Sequence, residues 1–310
     1  MKILVTGAAG YIGSVLVPML LQRGHEVITL DNFMYGQLAF PDCSYHKSLV
    51  VIRGDARDGD LIIDIFKKYQ LVDYIIPLAA IVGADACKND PIAAQTTNED
   101  AIKHLLTQPK SGIIFPNTNS GYGIGQDGIH CTEESPLNPI SLYGRTKVAA
   151  EKLVLQNPNS IVLRLATVFG VSPRMRTDLL VNDFVRDAVQ KRYIRVFEPH
   201  FKRNFIHVRD VARAFLHCME NFKNMQNQVY NLGLSSANIS KWELCEKIKE
   251  YIPEFEFSEG AGEDPDKRNY IVSNKKIERA GFEPAFSLDD GIIELVKIYK
   301  AMKRNIHGNA

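Results

Sequence analysis

The chain is expected to form an α/β fold: a doubly wound parallel sheet with a smaller, mixed α/β C-terminal lobe. Three observations carry that expectation. Short apolar runs at 2–5, 26–30, 50–52, 73–77, 112–115 and 161–165 are rich in Ile, Val and Leu. Most of them do not alternate, as befits strands buried on both faces of a parallel sheet. Helical patterns at 11–23, 59–69, 91–107 and 141–156 lie between them and would supply right-handed crossovers. Finally, a glycine-rich turn joins the first strand directly to the first helix.

After Gly170 the rhythm changes. Helices are expected at 176–192, 208–221, 241–251 and 288–303, with short strands at 194–197, 204–206 and 229–232. Pro- and Gly-containing stretches at 170–173 and 258–265 read as surface connections. The expected division is a Rossmann domain over 1–168, with 204–235 returning to it, and a second lobe from 169–203 and 236–310. That lobe would close over the carboxyl edge of the sheet, where open α/β folds bind ligands.

Composition narrows the classes. Formal net charge is +1 across 310 residues, without a basic stripe, so nucleic acid is not an expected partner. No apolar run approaches the roughly 20 residues that span a bilayer, and residues 1–6 read as the first strand and not as a secretory signal. Cys43, Cys87, Cys131, Cys218 and Cys245 are scattered without metal-ligand spacing, which suits reduced packing thiols in a cytoplasm. No metal site is expected.

The first loop reads Gly7-Ala-Ala-Gly10-Tyr11-Ile12-Gly13. Gly7 permits a tight turn, Gly10 lets backbone approach a diphosphate, and Gly13 allows close helix packing. The helix start then offers N–H groups and a partial positive charge. Asp31, followed by Asn32, ends the second strand, where a carboxylate accepts hydrogen bonds from both ribose hydroxyls. It would repel a 2′-phosphate, so NAD is expected over NADP. Asp55 and Ala56 end the third strand, with Asp55 placed for an adenine amino group. Leu78, Ala79 and Ala80 end the fourth, small enough for close approach of a cofactor.

Pro139 and Ser141 precede a helix carrying Tyr143 and Lys147 at i and i+4, hence on one face. A phenol with a pKa near 10 is a poor base at neutral pH. A neighbouring ammonium favours the phenolate, which is what alcohol oxidation needs. The same ammonium could hold a nicotinamide ribose.

With these motifs in view, the chain resembles the extended short-chain dehydrogenase/reductase family, the NAD-dependent epimerase/dehydratase group acting on nucleotide sugars. The resemblance runs nearly end to end, through the loop, Asp31, Asn98, the Thr118–Gly123 segment, Glu-Glu-Ser-Pro, Tyr143/Lys147 and Arg203-Asn-Phe-Ile-His-Val-Arg-Asp. It implies Tyr143 as base, Lys147 as its electrostatic partner, and Thr118 as the hydroxyl that binds the reacting sugar alcohol. By the same resemblance Asn98 sits near the nicotinamide, Arg203 and Arg268 grip the substrate diphosphate, and Asn182 places an amide on a phosphate. A homodimer paired through the 91–107 and 141–156 helices is likewise implied.

Departures from the family pattern matter as much. Asn119 and Ser120 stand where family dehydratases carry Asp-Glu, so 4,6-dehydration lacks its acid and base, and both residues are expected on the sugar side. Thr167-Val-Phe-Gly170 replaces the usual Asn-Val-Tyr-Gly. Arg174 and Arg176 lie just beyond, either as a solvated helix start or as contacts to sugar hydroxyls or phosphate. Segments such as Pro-Asn-Thr-Asn-Ser-Gly-Tyr-Gly-Ile-Gly and Ser-Pro-Arg-Met-Arg resemble GDP-D-glycero-α-D-manno-heptose 4-dehydrogenases of bacterial capsule biosynthesis. That likeness implies oxidation of carbon 4 of a GDP-heptose. A 4-epimerase uses the same catalytic parts and stands as the alternative; a non-catalytic NAD-binding sensor is more remote, because Tyr143 and Lys147 are both present. His207 reads as a core residue, His200 as a loop residue, and Cys87 and Lys88 as a packing thiol and a solvated lysine, each with a ligand contact as the alternative.

Overall fold

The computed structural model describes residues 1–302 apart from 37, 109, 127 and 262–267. Seven parallel strands form the central sheet: β1 (Lys2–Thr6), β2 (Glu26–Asp31), β3 (Leu49–Arg53), β4 (Tyr74–Pro77), β5 (Gly112–Thr118), β6 (Ser160–Leu165) and β7 (Gln228–Leu232). Their order is β3-β2-β1-β4-β5-β6-β7, and every neighbouring pair is parallel. The direction of winding reverses between β1 and β4, which opens a crevice at the carboxyl ends of those strands. Inner strands are buried on both faces, as in β1 and β6, whereas edge strand β3 is not.

Strand β5 runs to Thr118, three residues past the expected end. The first residue past that end is Pro116, and proline cannot donate to a ladder. β4 pairs with β5 only at Gly112 and Ile113, so Pro116 is not asked to donate on that side, while β6 accompanies β5 as far as Leu165. The extension puts Thr118 at the crevice.

The expected 91–107 helix is broken. Pro91–Gln95 and Ala101–Leu105 are α-helical, and Thr96–Asp100 between them is a π turn. A π insertion rotates the following face and is frequent at functional sites. The 176–192 helix starts late, at Leu180. Residues 176–179 stay out because the Asn182 amide takes the Arg176 carbonyl (2.8 Å) and the Gly170 N–H (3.0 Å). Lys241–Tyr251 matches its expected range, and the final helix is Leu288–Ala301. Its expected end at 303, and the 262–265 part of the second connection, lie outside the described residues.

Two apolar layers flank the sheet. Helices Gly13–Gln22 and Val208–Glu220 bury Leu16, Leu20, Phe215 and Leu216 on one side. On the other side Ile62, Ile65, Ile102 and Val154 pack against Leu4, Ile28 and Phe115. A third core joins Phe169, Val185, Leu244, Ile248 and Leu295 in the C-terminal half. Of the expected 204–235 return, Val208–Glu220 and β7 join the main layers. Lys202–His207 instead sits in a separate sheet between Thr167–Phe169 and Asn238–Ser240. Such short strands, like His130–Cys131 and Ile271–Val272, carry too few residues for a periodic signal. All five cysteines are buried and free.

Candidate active site

A cleft of about 1160 Å³ opens at the carboxyl ends of the strands and is walled by both halves of the chain. Its first wall is backbone. Gly7 has φ +65, and a Cβ there would stand 2.4 Å from Ala79 N and 2.6 Å from Leu78 C. The turn after β1 is thus pressed against the loop after β4. At Gly13 a Cβ would stand 2.3 Å from the Ala8 oxygen, so this helix can begin only on glycine. Gly10 is different: a Cβ would meet Gly7 O alone, at 3.1 Å, leaving its remaining surroundings open. Ile12 caps the Gly13–Gln22 helix without any side-chain hydrogen bond, so no side chain competes for its first-turn N–H groups. An open glycine before an uncapped helix start fits an anionic diphosphate.

Asp31 is fixed before any ligand arrives. Its carboxylate accepts from Ala9 N (2.9 Å) and Phe33 N (2.7 Å), and each oxygen keeps a lone pair for a hydroxyl. Asn32, Ala56, Leu78, Ala79 and Ala80 share this wall, as do Tyr11 and Ile12. Asp55 is on the wall too, but Arg57 already holds its carboxylate at 2.6 and 3.0 Å. That guanidinium lowers the Asp55 carboxyl below its usual range.

Helix Leu142–Val154 starts on Ser141, whose hydroxyl accepts from Gly144 N at 3.1 Å, a cap worth about 1 kcal/mol. This aims Tyr143 and Lys147 at the cleft. Thr118 stands on the same wall, and its hydroxyl pulls the Tyr143 phenol downward. The Thr118 and Ser120 hydroxyls lie 2.9 Å apart, and Ser120 receives Arg268. Lys147 is almost fully buried, with Nζ 4.0 Å above the centre of the Phe115 ring.

The electrostatics differ from the sequence expectation in one respect. Burial holds the Tyr143 phenol above its usual range, and the charges pulling it back are Arg176 and Arg268, joined by the Thr118 hydrogen bond. Lys147 is not among those causes; burial pushes its own pKa down to about 7, with Glu151 opposing. Desolvation outweighs pairing for both groups. Beneath them Glu151 and Arg164 form a buried bidentate pair at 2.6 and 3.1 Å. Asn117 also binds Glu151, and Arg164 reaches the Tyr122 hydroxyl at 3.0 Å.

Three residues expected at the ligands stand off the cleft wall. The Asn98 amide is consumed by the chain: it accepts from Ile81 N (2.8 Å) and donates to Ile81 O (3.0 Å) and Thr146 Oγ1 (3.1 Å). It braces the loop after β4 against the Leu142–Val154 helix, and Thr97 lines the cleft instead. Asn182 is wholly buried, its amide spent on Gly170 N, Arg176 O and the Tyr11 hydroxyl. It therefore cannot serve a phosphate. Asn119 is buried in the Asn119–Tyr122 turn while its neighbours Thr118 and Ser120 line the cleft. His207 is closed into the core, 2.7 Å from Glu294. Cys87, Lys88 and His200 are absent from the wall.

Arg174, Arg176, Arg203 and Arg268 all reach the cleft, joined by Lys241. Arg176 pairs with Asp178 at 2.5 and 3.0 Å. Arg203 is nearly buried, with its guanidinium 5.8 Å from the Tyr270 ring centre. Sequence reasoning missed Tyr35, Arg57, Asp178, Lys241 and Tyr270. Tyr35 alone carried a usable signal, lying four residues after Asp31 in the same loop.

Comparison with known proteins gives a consistent picture. The sequence profile of the NAD dependent epimerase/dehydratase family matches residues 3–233. UDP-glucuronic acid decarboxylase 1 of Arabidopsis thaliana is 30% identical over 317 residues, covering 97% of this chain and 70% of that protein. The crystal structure of UDP-glucose 4-epimerase with UDP-glucose from Thermotoga maritima superposes with a TM-score of 0.85 at 26% identity, covering 97% of this chain and 99% of that one. MoeE5 in complex with UDP-glucuronic acid and NAD superposes with a TM-score of 0.80 at 26% identity, with the same coverage of 97% and 99%.

Proposed function

The chain belongs to the NAD-dependent epimerase/dehydratase family, and from that premise we propose that it oxidises carbon 4 of a nucleoside-diphosphate sugar. It is an NAD-dependent enzyme of the extended short-chain dehydrogenase/reductase type, with nucleotide-sugar epimerase/dehydratase chemistry. What carries the finer reading is the meeting of Thr118, Tyr143 and Lys147 on a wall shared with the glycine cradle.

When bound, NAD supplies a hydride acceptor. Thr118 holds the reacting hydroxyl, Tyr143 takes its proton as the phenolate and becomes the neutral phenol, and Lys147 favours that phenolate beforehand while holding a ribose hydroxyl. Arg203 and Arg268 neutralise the substrate diphosphate. Asn119 and Ser120 offer no carboxyl pair for expelling water, so oxidation is not followed by dehydration. Residues 1–168 hold the dinucleotide, and 169–203 with 236–310 hold the sugar nucleotide. The Pro116–Gly125 and Ser172–Arg176 wording favours a GDP-heptose substrate and a capsule pathway. The enzyme is placed in the cytoplasm as a homodimer.

The second reading is a 4-epimerase, favoured by the UDP-glucose 4-epimerase structure that superposes on the chain. It performs the same oxidation and returns the hydride to the opposite face. One experiment separates them: purified protein is incubated with GDP-, UDP-, CDP- and dTDP-sugars and followed by mass spectrometry and NADH absorbance. Loss of two hydrogens with NADH formed supports the dehydrogenase; an isomer without net NADH supports the epimerase. In the same assay Tyr143→Phe should still bind NADH yet lose about 10²–10⁴-fold in turnover. Full activity in that variant would show that the proton leaves by another route.

A further inference from the structure

Tyr35 and Arg174 approach from opposite halves of the chain. Tyr35 sits on the loop that begins with Asp31; Arg174 follows the Thr167–Phe169 strand. Their side chains meet at the cleft wall, with the guanidinium carbon 3.7 Å from the centre of the phenol ring. That is a close cation–π stack.

Arg174 is held at the start of the cradle helix. Its backbone N–H donates to the Ser14 hydroxyl at 3.3 Å. Two residues earlier, the Ser172 hydroxyl lies 2.9 Å from that of Ser14 and donates to the Tyr11 carbonyl at 2.7 Å. The backbone that carries this guanidinium is therefore tethered at the uncapped helix start, and the guanidinium itself stacks on Tyr35. Arg176, two residues on, takes the other direction: it pairs with Asp178 and acts on Tyr143.

One atom of Arg174 has no use for itself inside the protein. Its Nε is buried without a hydrogen-bond partner. A buried donor on a charged group is costly unless an acceptor meets it. The chemistry that satisfies it is an anionic oxygen, and the neighbouring cradle is shaped for a diphosphate.

We propose that Tyr35 and Arg174 form a clasp over the diphosphate of the dinucleotide, with Arg174 Nε–H donating to a phosphate oxygen, so that the cofactor stays bound through successive turnovers. Arg174 is thereby assigned to the cofactor and not to the sugar. The proposal rests on the reading that NAD fills this cleft. A cofactor kept in place must be reoxidised where it lies. Retention therefore suits either return of the hydride to the same sugar, or reoxidation by a second carbonyl substrate that enters after the product leaves.

The test uses the whole chain and reads cofactor release. Stopped-flow fluorescence follows NADH displaced by excess NAD from wild type, Tyr35→Ala, Arg174→Gln and the double variant. Tyr35 is 59% exposed, so its replacement leaves the core intact. Each single variant should release NADH roughly tenfold to a hundredfold faster, the range of one charge-assisted contact. The double variant should release it no faster than Arg174→Gln, because one clasp has been opened. NAD carried through purification should fall in parallel. Unchanged release with a raised KM for sugar nucleotide would return Arg174 to the substrate and overturn the clasp. Wild type that binds no NADH would instead sink the cofactor reading beneath it.

Discussion

The two walls of the cleft are built from different materials. On the dinucleotide side the surface is main chain: Gly7, Gly10, Gly13 and the strand ends at Ala79 and Ala80. On the far side it is long cationic side chains from loops, a short strand and a helix start: Arg176, Arg203, Lys241 and Arg268. A wall of backbone has little freedom, since moving it means moving a strand. A wall of side chains can be re-aimed by changing one residue at a time. The first suits a ligand that never changes, and the second suits a substrate that varies among relatives, as decarboxylase and 4-epimerase do here.

Three perturbations sharpen that contrast. Gly7→Ala should have the largest effect, because its Cβ would meet backbone that cannot yield. The strain should cost about 3 kcal/mol or more, seen as lower NADH affinity and a lower melting temperature. Normal affinity would mean that the cradle is softer than its spacing says.

Lys147 lies between the walls. In the folded chain burial holds its pKa at about 7, against about 10.4 in an unfolded chain. Within that window the unfolded chain holds the extra proton, so this group makes stability rise with pH, by at most about 1.4 kcal/mol per unit. Below pH 7 both states are charged and the burial penalty is complete. Denaturation of Lys147→Met across pH 6–10 should lack that rise. An unaltered slope would show that the ammonium is better solvated than its burial implies.

Arg203→Gln should give the smallest effect and leave the cofactor side untouched. KM for the sugar nucleotide should rise roughly 10–100-fold, with NADH affinity unchanged. A matching loss of NADH affinity would blur the distinction between the two walls.

The same contrast explains what the amino-acid order revealed. The glycine loop, Asp31 and the Tyr143/Lys147 pair are local features: turn, strand end, helix face. Each carries its geometry in a few consecutive residues, and the structure brings them to one cleft. Asn98 and Asn182 were misplaced because an amide looks the same whether it meets a ligand or its own backbone. Only the tertiary fold brings Ile81 to Asn98, and Tyr11 to Asn182. The π turn at Thr96–Asp100 was likewise missed, since the α-helical pieces on either side are only five residues each, too short to show the shift in apolar phase. For Tyr143 the expected helper was the residue one helical turn away, and Arg176 and Arg268 are further charges that pull its phenol downward. Their approach depends on loops from the other half.

Tyr11 gives the cleft a property that neither wall has alone. Its hydroxyl donates to the Gly170 carbonyl at 2.6 Å and receives Asn182 at 3.2 Å, while its backbone stays in the glycine loop. A single aromatic residue therefore rivets the dinucleotide cradle to the segment that carries Arg174 and Arg176. Any parting of the cradle from that segment would have to break these two hydrogen bonds.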